Sequence, residues 1–173
     1  MDEDFKHLTP DANGGYSVSV VCPIELWEPL GMESGYIPDA NIVASTDYNE
    51  WHGATNARPD PQDSQNMWCS EDTDSFPWIQ VNLNARVYIA GLIIHSGRTD
   101  YVETYKVKHG YYSSSLTFAT TSSGSTQLFS LSNGYSPFTK EFSSVLHAQY
   151  LRIYPVSWAG DHVCLRFEVI GCR

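Results

Sequence analysis

Residues 78–83 read Trp78-Ile79-Gln80-Val81-Asn82-Leu83, with apolar Ile, Val and Leu alternating with Gln and Asn. That two-residue period is the signature of a strand with one face in a core. Leu165-Arg166-Phe167-Glu168-Val169 alternates in the same way. Ile42–Thr46, Val87–His95, Tyr105–His109 and Tyr150–Pro155 are also short and rich in β-branched and aromatic residues, and Gly, Pro, Asn, Asp and Ser clusters lie between them. No long segment sustains a 3.6-residue apolar period, and there is no internal repeat. Many short strands with turns between them favour an all-β sandwich or closed barrel. Ser113–Ser115 and Thr120–Thr126 are Ser/Thr-rich and read as loops or a weak edge hairpin. Residues 1–21 are polar at first and carry Gly14-Gly15, so they read as a leader or linker ahead of a domain spanning 22–173.

At 173 residues the chain fits one domain with a real hydrophobic core. Its 42% hydrophobic and 13% aromatic content is too high for a disordered chain. No run approaches the ~20 apolar residues that a membrane-spanning helix needs. Ten basic against twenty acidic residues leave a formal charge of -10. A duplex reader needs a cationic face, so no nucleic-acid partner is expected.

The four cysteines, Cys22, Cys69, Cys164 and Cys172, have no CxxC spacing, which argues against a zinc cluster. Three pairings are open to them. A Cys22–Cys172 bridge would close nearly the whole chain, worth roughly 4–5 kcal/mol in the chain-entropy view. Such a tie between the ends is common in secreted folds. Asp2, Glu3 and Asp4 follow Met1 where a secretory leader would be basic. The chain therefore reads as a segment of a longer secreted or cell-surface protein with an added start. No Asn-x-Ser/Thr sequon occurs, so N-glycosylation is not expected.

Catalytic constellations are missing from the sequence. There is no Gly-x-Ser-x-Gly elbow, HExxH helix or phosphate-cradling glycine loop, and the six histidines are scattered. Asp60, Asp63, Glu71, Asp72 and Asp74 do not follow an EF-hand spacing and read as a solvated acidic loop. The expectation is a non-enzymatic chain without metal or cofactor.

From Pro29 the text runs Pro-Leu-Gly-Met-Glu-Ser-Gly-Tyr-Ile-Pro-Asp-Ala-Asn-Ile-Val-Ala-Ser. It continues through Ala57-Arg58, Trp68-Cys69, the 78–83 strand, Tyr101–Val107 and Tyr150–Pro155, and closes on Ser157-Trp158 and Cys164–Cys172. This order resembles the discoidin domains, also called the C domains of coagulation factors V and VIII. The resemblance implies an eight-stranded antiparallel jelly-roll β-sandwich with ligand-binding loops at one end. It also implies the family's terminal disulfide at Cys22–Cys172. The Trp-Cys and Cys-Leu-Arg positions resemble those of discoidin-domain receptors and imply a second bridge, Cys69–Cys164. Trp68, Trp78, Arg152 and Arg166 fall in scaffold segments, and a buried arginine calls for a carboxylate, with Glu168 and Asp39 as candidates. Departures from the family pattern include Pro59 after Arg58 and His95-Ser96-Gly97-Arg98 after the central strand.

Members of this family bind rather than catalyse, and three ligand classes compete. Membrane-docking relatives insert bare apolar side chains beside basic ones. Here Trp51 is the strong insertion candidate in the first loop, and a -10 domain starts with repulsion from phosphatidylserine. A glycan site needs an aromatic platform with a few placed polar groups. Tyr48, Trp51 and His52 in one loop, with Arg98 and Asp100 in the next, supply those types. Arg98-Thr99-Asp100 resembles the start of the fucose-lectin motif, but Lys106 falls one position beyond its spacing and His52 lies too far upstream. Those lectins place a calcium-binding acid near where this chain has Arg166, so no calcium is expected there. For a protein ligand, Trp51, Arg98 and Trp158 would be anchors. His162 reads as a satisfied loop histidine. The expectation is an extracellular recognition and cell-adhesion module for a cell-surface or matrix glycan or glycoprotein, its site built from residues 47–58 and 97–104. Phospholipid docking, or carbohydrate targeting within a larger enzyme, is the alternative.

Overall fold

The computed structural model describes residues 6–10, 16–20, 22–59, 67–95, 97, 99–131 and 137–173. Its strands are β1 (Lys6–Pro10), β2 (Tyr16–Val20), β3 (Glu28–Pro29), β4 (Ile42–Ala44), β5 (Trp68–Cys69) and β6 (Ile79–His95). They continue with β7 (Tyr101–Tyr112), β8 (Ser115–Phe118), β9 (Phe129–Ser130), β10 (Phe138–Ala159) and β11 (Cys164–Cys172). Every pairing is antiparallel. Near the start of the chain, β1 and β2 pair with each other. The other nine described strands form the main sheet system, and three of them, β3, β5 and β9, are only two residues long.

Two long strands turn this sheet system into a two-layered sandwich. The alternating segments around 78–83 and 87–95 are one strand, β6, bent at Leu83–Arg86, where Asn84 takes a positive φ of 66°. β10 follows the same bend. Its Phe138–Ala148 half pairs with the far half of β6, and its Tyr150–Ile153 half pairs with Asn82–Ile79. β11 joins only the far half of β6, and β7 only the second half of β10. One layer is therefore β3, β11 and the β6/β10 far halves. The other is β4, the near halves, and β7 with β8 and β9. Strands that switch layers through bulges make such corners in sandwiches.

The inward positions of both layers form one cluster, including Trp68, Ile79, Val81, Leu92, Tyr105, Val107, Leu151, Ile153, Phe167 and Val169, all fully buried. Each such side chain contributes about 1.5–3 kcal/mol of transfer free energy. The alternation of Arg166 and Glu168 suggested an exposed face, yet β11 is buried along both faces. The expected partner for Arg152 also differs, and Asp39 and Glu168 have contacts of their own. Asp39 pairs with Arg58 at 2.6 Å. Arg152 donates to the Gln80 amide oxygen at 2.7 and 3.0 Å and lies 4.1 Å over the Trp78 ring. Glu168 accepts backbone N–H groups from residues 31–33. Partners this distant in sequence cannot be read from local spacing.

Cys22–Cys172 and Cys69–Cys164 are both bridged, and no cysteine is free. The Ser/Thr-rich stretches form an edge hairpin, with β8 on β7 and an isolated bridge between Thr120 and Thr126.

Candidate ligand-binding site

The first loop, 47–53, is stitched to the Cys69 segment at both ends. Tyr48 N–H donates to the Cys69 carbonyl at 2.8 Å, and Cys69 N–H donates to the His52 carbonyl at 3.1 Å. At its tip Asn49 makes an Asx turn, in which Oδ1 accepts Trp51 N–H at 2.9 Å and lies 2.9 Å from His52 Nδ1. Asn56 Nδ2 donates to the Trp51 carbonyl at 2.7 Å. The backbone of Trp51 is thus held on both sides while its indole is 67% exposed. A large aromatic held in place and left uncovered loses little entropy when a ligand takes it.

A second loop, 70–77, is pinned to the base of the first. Asp74 accepts Ser45 Oγ at 2.5 Å and Thr46 Oγ1 at 2.8 Å, and Thr46 Oγ1 accepts Glu71 N–H at 3.1 Å. Asp74 Oδ1 also accepts Phe76 N–H at 3.0 Å, leaving the Phe76 ring 83% exposed. Phe76 is not among the residues expected from the sequence. Its signal was the Asp-x-Phe spacing, which is that of a second Asx turn like Asn49-x-Trp51.

Asp100 joins the remaining loops. Its Oδ1 accepts the N–H groups of Asp161 at 2.9 Å and His162 at 3.0 Å, and its Oδ2 accepts Thr99 Oγ1 at 2.7 Å. Gly160 makes the junction possible. It has φ +83°, and a Cβ there would stand 2.5 Å from Asp100 Oδ1 and 2.6 Å from the Thr99 carbonyl. Held there, His162 packs its ring 4.5 Å from Tyr48 and pairs Nδ1 with Asp72 at 2.8 Å. The Tyr48 ring also meets His52 edge-on at 6.0 Å.

Tyr48, His52 and His162 therefore form one aromatic group between Asp72 and Asp100, and Tyr48 is 41% exposed. Trp158 stands opposite Val102 at the end of β10, close to this junction, and is 39% exposed. Arg98 lies outside the described residues. Asp100 was expected as a hydrogen-bonding group for ligand, and the structure occupies both of its oxygens with loop contacts. Among the described residues no group of three or more His, Cys, Asp or Glu side chains is placed to hold a metal ion.

These groups couple the loops to pH. Burial acts to raise Asp100, but hydrogen bonds from Thr99, His162 and Asp161 outweigh it and hold the carboxyl below its ordinary 3.8. Burial likewise acts to raise Asp74, and the bonds from Ser45, Thr46 and Phe76 hold it below 3.8. A depressed carboxyl stabilises fully above 3.8 and loses that contribution as pH falls through its folded value. In the scaffold, burial holds His95 and His109 below their ordinary 6.5, with the Arg166 charge adding to the effect at His95. Their neutral forms stabilise fully above 6.5 and lose that contribution as pH falls. Both sets act in one direction, the histidines first. Urea midpoints at pH 7.5 and 5.5 should fall further for the wild type than for a His95→Gln/His109→Gln variant. An equal or smaller fall in the wild type would contradict the assignment.

The F5/8 type C domain pattern matches residues 41–169. This chain belongs to the discoidin family. The discoidin domain is 34% identical over 155 residues to lactadherin of Mus musculus, covering 83% of this chain and 33% of that protein. It is 32% identical over 154 residues to coagulation factor VIII of Sus scrofa, covering 84% of this chain and 7% of that protein. It spans about a third of the length of the lactadherins it matches. Among solved structures, discoidin II of Dictyostelium discoideum superposes with a TM-score of 0.62 at 20% identity, over 76% of this chain and 54% of that one. The family 32 CBM from C. perfringens NanJ, solved in complex with galactose, superposes at 0.60 and 17% identity, over 78% of this chain and 96% of that one. These likenesses show a shared fold. The family is one of binding modules, and the match brings no catalytic family with it.

Proposed function

We propose that the discoidin domain is an extracellular, non-enzymatic recognition and adhesion module that takes a glycan, free or on a glycoprotein, at the loop end of the sandwich. The observation that carries this reading is Trp51, clamped by Asn49 and Asn56 with its indole uncovered beside the Tyr48–His52–His162 group. A flat exposed ring beside polar side chains suits the apolar face of a sugar and its hydroxyls. Trp51, Tyr48, His52, Arg98 and Trp158 are the proposed contacts, and Asp100 positions the loops that carry them. Two disulfides suit an oxidising compartment outside the cell.

Charge separates this reading from its rival. The loops at 47–58, 70–77, 97–104 and 160–163 carry Asp47, Glu50, Glu71, Asp72, Asp74, Asp100, Glu103 and Asp161 against two basic residues, Arg58 and Arg98, and Arg58 is paired with Asp39. Anionic lipid would be repelled there, whereas a neutral saccharide would not. Phospholipid docking keeps one observation in its favour, the exposed Trp51 and Phe76 rings on adjacent pinned loops. A carbohydrate-targeting role within a larger enzyme uses the same site and differs only in what is attached. Trp51→Ala should weaken glycan binding at least about 30-fold, the size of an interface hot spot, with thermal unfolding unchanged. Normal binding by that variant would move the site elsewhere.

A further inference from the structure

The outer face of the β4–β6–β10–β7–β8 layer carries a second surface, opposite in charge to the loops. Val43, Gln80, Arg152, Lys108 and Phe118 are direct register partners across five adjacent strands. Directly opposed residues share a face, and neighbouring strands lie about 4.8 Å apart. This row points away from the core, because the residues flanking it along the strands, Ile79, Val81, Leu151, Ile153 and Val107, are all fully buried. Tyr154 opposite Lys106 starts the next row.

Aromatic rings and cations interleave across this face. Arg152 lies over Trp78 at 4.1 Å and donates to Tyr154 Oη at 3.2 Å, and Lys108 Nζ lies 4.6 Å from Phe118 and 5.3 Å from Tyr154. Among the described residues no carboxylate lies within ion-pair distance of Lys106, Lys108 or Arg152. On a chain of formal charge -10, three uncompensated cations side by side on rigid strands are a local field of the opposite sign.

We infer that this face is a binding site for a linear polyanionic polysaccharide bearing sulfate esters or carboxylates, separate from the loop site. Charge complementarity supplies the attraction. Lys106 and Lys108 stand about 6.8 Å apart along one strand, and Arg152 about 4.8 Å from Lys108 across the sheet, a spacing for closely repeated anions. The rings between them hold the cations in place through cation–π contacts. A peptide would add as a strand to a sheet edge, but the cations here are on β7 and β10, which are paired on both sides.

The test is retention on immobilised dextran sulfate, with neutral dextran and polyglutamate in parallel. The wild-type domain should be retained on dextran sulfate alone at about 50 mM salt and released by about 300 mM, as a screened surface interaction requires. Lys106→Gln/Lys108→Gln should weaken retention at least about tenfold with an unchanged melting temperature. Trp51→Ala, which disables the proposed loop site, should be retained like the wild type. The inference is overturned by no retention at low salt, by full retention of the lysine variant, by loss in Trp51→Ala, or by equal retention on polyglutamate.

Discussion

Glu168→Ala is expected to cost the domain about 3–5 kcal/mol, the scale for stripping a buried charged group of its role in a hydrogen-bonded network. The side chain is 2% exposed, in the middle of β11. Its Oε1 accepts N–H groups from Gly31, Met32 and Val169 at 3.3, 3.1 and 2.8 Å, and its Oε2 accepts that of Glu33 at 2.9 Å. Alanine would leave several of these donors buried without acceptors and open a cavity as well. Arg58 holds the same loop from its other side through the carbonyls of Met32 and Ile37, each at 2.6 Å, and stands just after the turn Ala54–Ala57 that follows the first site loop. Denaturant titration measures the loss. Glu168→Gln should cost less, because an amide oxygen still serves the three donors on Oε1. Equal losses for the two variants would mean that the charge, not the acceptor geometry, is what the loop requires.

Cys22→Ser/Cys172→Ser should lower the unfolding free energy by about 4–5 kcal/mol, since the bridge spans a separation of 150 residues. Cys69–Cys164, with a separation of 95, is only slightly less effective on the same entropic grounds, but it sits at the base of the loops. The two deletions should therefore part company in binding. At a temperature where both variants remain folded, losing the terminal bridge should leave ligand affinity intact. Losing Cys69–Cys164 should weaken it, because Tyr48 and His52 both hydrogen-bond to Cys69. Equal affinities would detach the second bridge from the site.

The layers were legible because each inward position in Ile79–Leu83, Tyr105–Val107 and Leu151–Ile153 is apolar and each neighbour polar or amphipathic. The length of the strands was not. Asn84-Ala85-Arg86 looks like a turn, and only its pairing with β10 shows that the chain bends without stopping. The first half of β10 was missed because Lys140-Glu141 and Ser143-Ser144 interrupt its pattern. Glu141 and Leu146 bracket a register shift, where alternation cannot persist. In the loops, Tyr48, Trp51 and His52 can be grouped from the sequence because they are consecutive or nearly so. From the sequence, His162 reads as a satisfied histidine and Asp72 as a solvated acid. That is what each is alone, and their pairing across 90 residues is visible only in three dimensions. Asp100 has a residue type suited to a sugar ligand, and its clamping of the loops is visible only in three dimensions.

The most direct test sets the intact domain and its Trp51→Ala variant side by side on a glycan array and on vesicles with and without phosphatidylserine. Glycan capture by the wild type is expected, with its loss in the variant and no preference for the acidic vesicles. Vesicle binding that rises with phosphatidylserine and disappears in Trp51→Ala, with an empty array, would contradict the glycan reading.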